Sequence, residues 1–223
     1  MDPIDPHCRL ELGPAPPLAS GTYRDVYPHP HRPELLVKVL RGGIGLRADR
    51  PLRNVFKRLS QRANYRFLFR EYDAWLAARI AWNDAEGPLP VAVPMWLQPT
   101  DRGLGMVVER IRGAGPDGRA ASLGDLVREG RFDDTQLARL NAFIEAIFRS
   151  GIVTNDTNPS NLMLDEIAPV ARFVLVDGFG DATLLRVKDR SAWLRDRQRH
   201  RRFAGLARFI GGNWDPQARQ ILR

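Results

Sequence analysis

Apolar runs in the first half of the chain have the lengths and spacing of β-strands. ELLVKVL (34–40), VAVPMWL (91–97) and GMVVERI (105–111) are short and largely apolar, and GTYRDVY (21–27) alternates between polar and apolar residues. From about residue 52 to residue 82, apolar residues instead recur at helical spacing. The first half is therefore predicted to be a sheet with one long helix.

Helical periodicity dominates the second half. SLGDLVREG (122–130) predicts a short helix that ends at glycine, and 136–149 predicts an amphipathic helix. The apolar face of that second helix consists of Leu137, Leu140, Ile144, Ile147 and Phe148. Two short strands, NLMLD and RFVLVD, come next, and arginine-rich helices are predicted from there to the end.

This order of elements, strands first and helices second, predicts an α+β protein with two unequal lobes. A shift in composition near residues 110–115 marks the boundary. We therefore predict an N-terminal lobe, 1–110, with the sheet and the long helix, and a C-terminal lobe, 111–223. The 223 residues are sufficient for both lobes to bury a core.

The composition is that of a soluble globular protein, with 27% charged and 43% hydrophobic residues. No apolar run reaches the roughly 18 residues of a membrane span. The start, MDPIDPHCRLELG, lacks the basic and apolar regions of a signal peptide. Cys8 is the single cysteine, which excludes an internal disulfide and fits a reducing compartment. We therefore predict a cytoplasmic location.

The net charge of +8 is concentrated in two segments. Residues 41–70 contain nine Lys or Arg and one acid, Asp49, and residues 186–202 contain eight and two acids. Such segments bind RNA, an anionic membrane surface or a phosphorylated partner. They are equally typical of a solvated basic surface, and the sequence leaves both interpretations open.

The candidate chemistry lies in VTNDTNPSNLMLD and, shortly after it, FVLVDGFGD. Asp156 and Asn161 form the pattern D-x-x-x-x-N, and Asp177 ends a strand that is apolar on both faces. A carboxylate that orients a nucleophile, with an amide and a second carboxylate that hold a divalent metal, is the minimum set for phosphoryl transfer. Asp and Asn are also ordinary turn residues, and Asp177 could be a plain strand-end aspartate. The two motifs together favour the catalytic interpretation.

Lys38 is the one charge in its strand, and a lysine on a buried strand requires an anionic partner. Glu71 lies on the apolar face of the long helix, between Leu68 and Trp75. We therefore predict a Lys38–Glu71 ion pair that directs the ammonium group towards phosphate oxygens. The alternative is a contact of Glu71 with a neighbouring arginine of its own helix.

A strand lysine, a helix glutamate, D-x-x-x-x-N and a strand followed by Asp-Gly occur in the order of the protein-kinase-like fold. The run VTNDTNPSNLML…FVLVDGFGD is similar to that of small bacterial kinase-like proteins of the PhoP-regulatory-network (YrbL) family. The resemblance covers residues 12–205 and implies a minimal bilobal fold, with a β-rich N-terminal lobe and a truncated, mainly helical C-terminal lobe. It also implies that the protein binds ATP and Mg²⁺.

Carried over by position, the resemblance implies that Asp156 is the catalytic base, that Asn161 and Asp177 are the metal ligands, and that Lys38, with Glu71, contacts the phosphates. It implies further nucleotide contacts in the glycine loop, on the strands and at the hinge between the lobes. These are Ser20, Gly21, Thr22, Val26, Leu36, Glu109, Ile111 and Met163, with Leu36 and Met163 on either side of the base.

The chain departs from this pattern at several positions. The glycine-rich loop retains only Gly21, and Thr154 and Asn155 precede Asp156 in place of the His-Arg of regulated kinases. Few residues follow the Asp-Gly motif, so we expect most of the platform for a peptide substrate to be missing.

We therefore predict an ATP- and Mg²⁺-dependent phosphotransferase that acts on an alcohol group of a protein, a small molecule or an envelope-lipid sugar. The alternatives are a nucleotide-binding pseudokinase that acts as a scaffold, and a protein whose basic segments bind RNA or a membrane surface.

Overall fold

The computed structural model describes residues 8–21, 24–41, 65, 69–180 and 192–223. The chain forms two compact units, one from Met1–Phe69 and Val93–Arg110, the other from Arg70–Ala92 and Ile111–Arg223. One division falls after residue 110, where the sequence placed the lobe boundary. Residues 70–92, which the sequence assigned to the first lobe, belong to the second unit because Ala78, Leu89 and Val91 lie in its core.

The first unit contains a five-stranded antiparallel sheet. Its strands are β1 (Ala19–Ser20), β2 (Arg24–His29), β3 (Arg32–Leu40), β4 (Pro94–Thr100) and β5 (Gly103–Glu109), in the spatial order β1-β2-β3-β5-β4. The sheet and the helices of the second unit confirm the predicted α+β class. The strand predicted over 91–97 begins only at Pro94, because Val91 pairs with Leu175 of the second unit instead.

The two faces of β3 differ, as the side-chain period of a strand requires. Leu35, Val37 and Val39 are buried in one apolar cluster, together with Val107 of β5. Leu36 and Lys38 lie on the other face, and Lys38 is paired in register with Val26 of β2 and Met106 of β5. The strand predicted around Lys38 is therefore confirmed.

The second unit is built around helices α1 (69–81), α2 (Leu123–Arg128), α3 (Asp134–Ser150) and α4 (Ala192–Phe209). Asp133 caps the start of α3, since its side chain accepts a hydrogen bond from the Gln136 amide, and Gly151, with a φ of 72°, caps its end. Its predicted apolar face is confirmed, since Leu140 and Ile144 are fully buried.

Strands β6 (Leu162–Asp165) and β7 (Arg172–Leu175) form an antiparallel hairpin that packs on this core. Phe173, Val174 and Leu175 are all buried, which confirms that β7 is covered on both faces. Leu175 also exchanges backbone hydrogen bonds with Pro90 and Ala92. The hairpin therefore holds Leu175, two residues before Asp177, in the core.

The end of the chain differs from the prediction of terminal helices. After α4, strands β8 (Asn213–Asp215) and β9 (Gln220–Leu222) form a short antiparallel hairpin. Gly211, with a φ of 73°, ends the helix. Asp215 Oδ1 then accepts hydrogen bonds from the amides of Gln217 and Ala218, which closes the turn. These local signals outweigh the helical composition of the segment.

Several sequence predictions lie outside the described residues. They are the phosphate contact at Thr22, the long helix before residue 65, most of the basic segment 41–70, and the part of the second basic segment before residue 192. In the part of the chain that the structure describes, no helix is long and apolar enough to cross a bilayer.

Candidate active site

The loop that follows α3 carries the first of the predicted catalytic residues. Asp156 is exposed, and each of its carboxylate oxygens accepts one hydrogen bond. Oδ1 accepts the Asn158 amide at 3.0 Å, and Oδ2 accepts Nδ2 of Asn161 at 3.3 Å. The carboxylate is therefore held in one orientation while it remains open to solvent, as a group that meets an acceptor hydroxyl must be.

Asp177 lies two residues after the end of β7, where the chain turns at Gly178. Its Oδ1 accepts the Gly178 amide at 2.6 Å. The Gly178 carbonyl in turn accepts the amides of Asn155 at 2.7 Å and Asp156 at 3.0 Å. Together with the bond from the Val176 amide to the Asn161 carbonyl, at 2.9 Å, these contacts join the two motifs.

Glycine is required at position 178 for this approach. Its φ is 81°, and a Cβ at this position would lie 2.7 Å from both Cβ and the carbonyl oxygen of Asp156. The structure therefore brings Asp156, Asn161 and Asp177 together through backbone hydrogen bonds and one close glycine contact. We call this group the Asp–Asn–Asp cluster.

The donor atoms of the Asp–Asn–Asp cluster fit Mg²⁺. Mg²⁺ takes one or two protein oxygens and completes its shell with phosphates and water. Asn161 uses its Nδ2 to donate to Asp156, so its amide oxygen is the atom for a cation. The described residues contain no group of three His, Cys, Asp or Glu side chains that could hold a metal alone. A cation at Asn161 and Asp177 would complete its shell with phosphates and water.

In the first unit, three predicted nucleotide contacts share one face of the sheet. Val26 is the cross-strand partner of Lys38, and Leu36 is two residues before Lys38 on the same strand. Lys38 is only 6% exposed. Their common face follows from strand periodicity, and their contacts with a nucleotide stay predictions.

Glu71 is buried on α1, with 1% exposure, as its predicted position on the apolar face requires. It belongs to the second unit and Lys38 to the first, so their ion pair stays a prediction. The alternative partners of Glu71 are Arg66 and Arg70, and Arg66 lies outside the described residues.

The predicted glycine loop has one feature that opposes phosphate binding. Ser20 donates its hydroxyl hydrogen to Oδ1 of Asp25 at 2.7 Å, and Nε of Arg41 donates to the same oxygen at 2.9 Å. Slight burial raises the pKa of Asp25, but the hydrogen bonds from Ser20 and Arg41 outweigh it and lower the pKa below its usual value. Ser20 would have to leave a charged acceptor before it contacted a phosphate. Gly21 has no close neighbour that excludes a side chain.

The predicted hinge residues fall in both units. The Glu109 amide donates to the Val93 carbonyl at 2.9 Å, and Oε2 of Glu109 accepts the Val93 amide at 3.1 Å. Ile111 is buried in an apolar cluster of the second unit, on which the half-buried Met163 also packs. The structure thus brings Ile111 and Met163 together, and the contacts of these residues with a base stay predictions.

Two residues with no predicted role support the loop before Asp156. Gln198 of α4 donates from Nε2 to the Thr154 carbonyl at 3.1 Å and to Oδ1 of Asn155 at 3.3 Å. Asn155 donates from Nδ2 to the Gly180 carbonyl. Asn155 therefore links α4 to the turn after Asp177. It occupies the position at which regulated kinases have the arginine of their His-Arg pair.

Arg199, the next residue of α4, supports the other end of this segment. It is 2% exposed and donates to the Ile152 carbonyl at 2.6 Å, to Phe148 at 3.4 Å and to Asp196 at 3.1 Å. A buried arginine with several acceptors is a structural group rather than a ligand site. In the sequence, Gln198 and Arg199 are only two polar residues within an arginine-rich run. Nothing in that run indicates that they contact residues more than 40 positions away.

Comparisons with known proteins place the chain in a family. A family model described as PhoP regulatory network protein YrbL matches residues 10–211. Among solved structures, the kinase domain of PknI from Mycobacterium tuberculosis is similar at 18% identity and a TM-score of 0.42, over 73% of this chain and 57% of that chain. A double mutant of the same domain is similar at 19% identity and a TM-score of 0.41, over 74% of this chain and 56% of that chain. The chain thus spans a little over half the length of these kinase domains. No curated protein matches it.

Proposed function

This chain belongs to the family of the PhoP regulatory network protein YrbL, and we propose that it is an ATP- and Mg²⁺-dependent phosphotransferase with an alcohol group as acceptor. The observation that carries the proposal is the Asp–Asn–Asp cluster, in which a solvent-exposed, oriented carboxylate accepts a hydrogen bond from an amide side chain, and backbone hydrogen bonds join its loop to the turn that follows a second aspartate. Phosphoryl transfer requires these three groups and little other covalent work from a protein.

Each residue of the cluster has a separate task in this proposal. Asp156 accepts the hydrogen bond of the acceptor hydroxyl and then its proton, while the hydroxyl oxygen bonds to the γ-phosphorus and ADP leaves. Asn161 and Asp177 hold Mg²⁺ with their side-chain oxygens. The bound ion neutralises charge on the phosphates. Lys38, braced by Glu71, contacts the α- and β-phosphates, and the rate gain comes mainly from positioning.

Several finer points belong to the same proposal. The adenine contacts at Glu109, Ile111, Leu36 and Met163 are proposed with it, as are the phosphate contacts of the glycine loop. The acceptor is an alcohol of unassigned kind, and we place the protein in the cytoplasm, where ATP and Mg²⁺ are supplied.

A second candidate function is a nucleotide-binding pseudokinase that acts as a scaffold. The specific observation in its favour is the hydrogen bond that the Ser20 hydroxyl donates to Asp25. This bond occupies a donor of the eroded glycine loop with a carboxylate, so the donor is not available to a phosphate. Such a loop holds the γ-phosphate less firmly than one built from several glycine amides.

Thermal unfolding with ATP, with and without Mg²⁺, combined with an assay of ADP release, tests both functions. We expect stabilisation by ATP that requires Mg²⁺, and slow ADP release even with water as acceptor. Asp177→Ala should abolish the Mg²⁺-dependent part of the stabilisation. Asp156→Ala should retain it and reduce turnover at least ~100-fold, the contribution of a positioned base.

Asp117→Ala is the matched control for Asp156→Ala. Asp117 is also an exposed turn aspartate that accepts a backbone amide, that of Arg119 at 3.1 Å, and it is outside the Asp–Asn–Asp cluster. It should behave as the unsubstituted protein does. Stabilisation without any ADP release would support the pseudokinase, and the absence of any ATP effect would overturn both functions.

A further inference from the structure

One face of α4 is exposed, basic and free of acidic residues. At 100° per residue, Trp193, Arg197, Arg201 and Arg208 lie within an arc of about 80°. All four are exposed, Trp193 by 66%. The guanidinium of Arg197 lies over the Trp193 ring, 5.5 Å from its centroid. We call these four residues the α4 basic face.

The opposite side of α4 is fixed in the core of the second unit. Phe203, Leu206 and Ala207 are all buried there, as is Ile210 directly after the helix. Asp196 lies towards that side and forms an ion pair with Arg199 at 3.1 Å. The helix therefore cannot rotate to cover its arginines, and the α4 basic face is a permanent feature of the surface.

The arginines of this face differ from many others on the surface. Arg128 and Arg131 are exposed but form ion pairs with Asp125 and Glu129, at 2.7 and 2.8 Å. Within the described residues, no such pair involves Arg197, Arg201 or Arg208. Like charges collected on one side of a helix repel each other, so an anionic partner would relieve this cost.

The arrangement of the face fits a flat anionic surface. Arg197 and Arg208 are separated by about 16 Å along the helix axis, so their charges are spread out and do not converge on one small anion. Because the four side chains lie in a narrow strip along the helix, the α4 basic face can contact a flat surface along its whole length. Trp193 lies at one end of the strip, and tryptophan favours the level of lipid headgroups.

We propose that the α4 basic face docks this protein peripherally on a bilayer that contains anionic phospholipids. The guanidinium groups would contact headgroup phosphates, for which their planar donors are suited. The Trp193 ring would enter the headgroup layer, and α4 itself would remain in the core. Single-stranded RNA fits less well, since binding of successive bases uses a series of aromatic rings and the strip offers one. The proposal is independent of phosphoryl transfer.

Co-sedimentation with vesicles tests it directly on the full chain. Vesicles of phosphatidylcholine alone are compared with vesicles in which part of the lipid is phosphatidylglycerol, at two salt concentrations. We expect binding to the anionic vesicles alone and a steep fall with salt. Each single Arg→Gln change in the face should lower partitioning about fivefold, and the change of all three on the order of 100-fold. Trp193→Ala should lower it several-fold.

The matched control removes the same charge elsewhere. Arg9, Arg128 and Arg131 are exposed arginines outside α4, and their joint change to Gln should alter partitioning by far less than the change in the face. Equal losses in both triple variants would show that net charge, not this face, is responsible, and would overturn the proposal. Weak vesicle binding beside salt-sensitive binding of polyuridylate would also overturn it, in favour of RNA. The single variants remain decisive should a triple variant unfold.

Discussion

The close contact at Gly178 gives the sharpest test of the Asp–Asn–Asp cluster. In Gly178→Ala, the new Cβ would lie 2.7 Å from Cβ and from the carbonyl oxygen of Asp156. Carbon atoms pack at about 3.5–4.0 Å, so Asp156 or the turn must shift by about 1 Å. Both hydrogen bonds that the Asn155 and Asp156 amides donate to the Gly178 carbonyl would be strained by such a shift.

Two costs add in this variant. A residue with a side chain at a φ of 81° costs roughly 1–2 kcal/mol. Forcing a methyl group into an occupied space costs typically 1–3 kcal/mol more. We therefore expect a loss of about 2–5 kcal/mol in the free energy of unfolding, measured by urea titration. Because catalysis depends on positioning to within 1 Å, ADP release should fall about 100-fold.

Gly130→Ala separates the two costs. Gly130 has a φ of 67°, and a Cβ there meets no atom within 4 Å. It should therefore lose only the conformational part, about 1–2 kcal/mol, and keep its ADP release. Equal destabilisation of the two variants would refute the argument from contact. So would a destabilised Gly178→Ala protein that kept its full activity, since Asp156 would then not depend on this glycine.

Two other changes test the support of the loop and of α2. Gln198→Leu removes the donor to the Thr154 carbonyl, so we expect a loss of about 1–2 kcal/mol in unfolding free energy and faster hydrogen exchange at the Asp156 amide. Asp125 accepts hydrogen bonds from the hydroxyl and amide of Ser122, which lower its pKa to about 2. The stabilisation from this carboxylate is present above pH 3.8 and is lost as the pH falls through about 2. Asp125→Asn should therefore be less stable at pH 7 by about 1 kcal/mol and lose this deficit near pH 2.

Both expectations have outcomes that contradict them. Unchanged exchange at the loop in Gln198→Leu would show that α4 does not hold it, and Gln136→Leu, in α3, is the control for loss of a half-buried amide. A deficit of Asp125→Asn that persists at pH 2 would mean that the carboxylate charge is not its cause.

The sequence predicted those parts of the molecule whose signals are local. The strand around Lys38 and the amphipathic α3 follow from periods of two and 3.6 residues, and the capping residues of α3 lie within one turn of its ends. The Asp–Asn–Asp cluster was also predictable, since Asp156 and Asn161 share one loop and Asp177 follows an apolar run that forms the buried strand β7.

The support of the cluster was not predictable, because it depends on contacts between distant residues. Gln198 reaches Thr154 across 44 positions, and an arginine-rich run gives no sign of which polar residue faces inwards. The C-terminal hairpin was missed for a different reason. Its strands have three residues each, which is too few to show a period of two. The arginine-rich, helix-favouring composition of the C-terminal segment also obscured the helix stop at Gly211.

The two proposals assign α4 separate roles on two different sides of the helix. Gln198 and Arg199 hold the backbone of the candidate catalytic loop, whereas the α4 basic face points to solvent. Because the buried side is fixed by apolar packing, changes on the exposed side should not reach the loop. Loss of the three exposed arginines should thus leave hydrogen exchange at Asp156 unchanged, and Gln198→Leu should leave vesicle partitioning unchanged. A change in both properties from either substitution would show that the two sides of α4 are coupled.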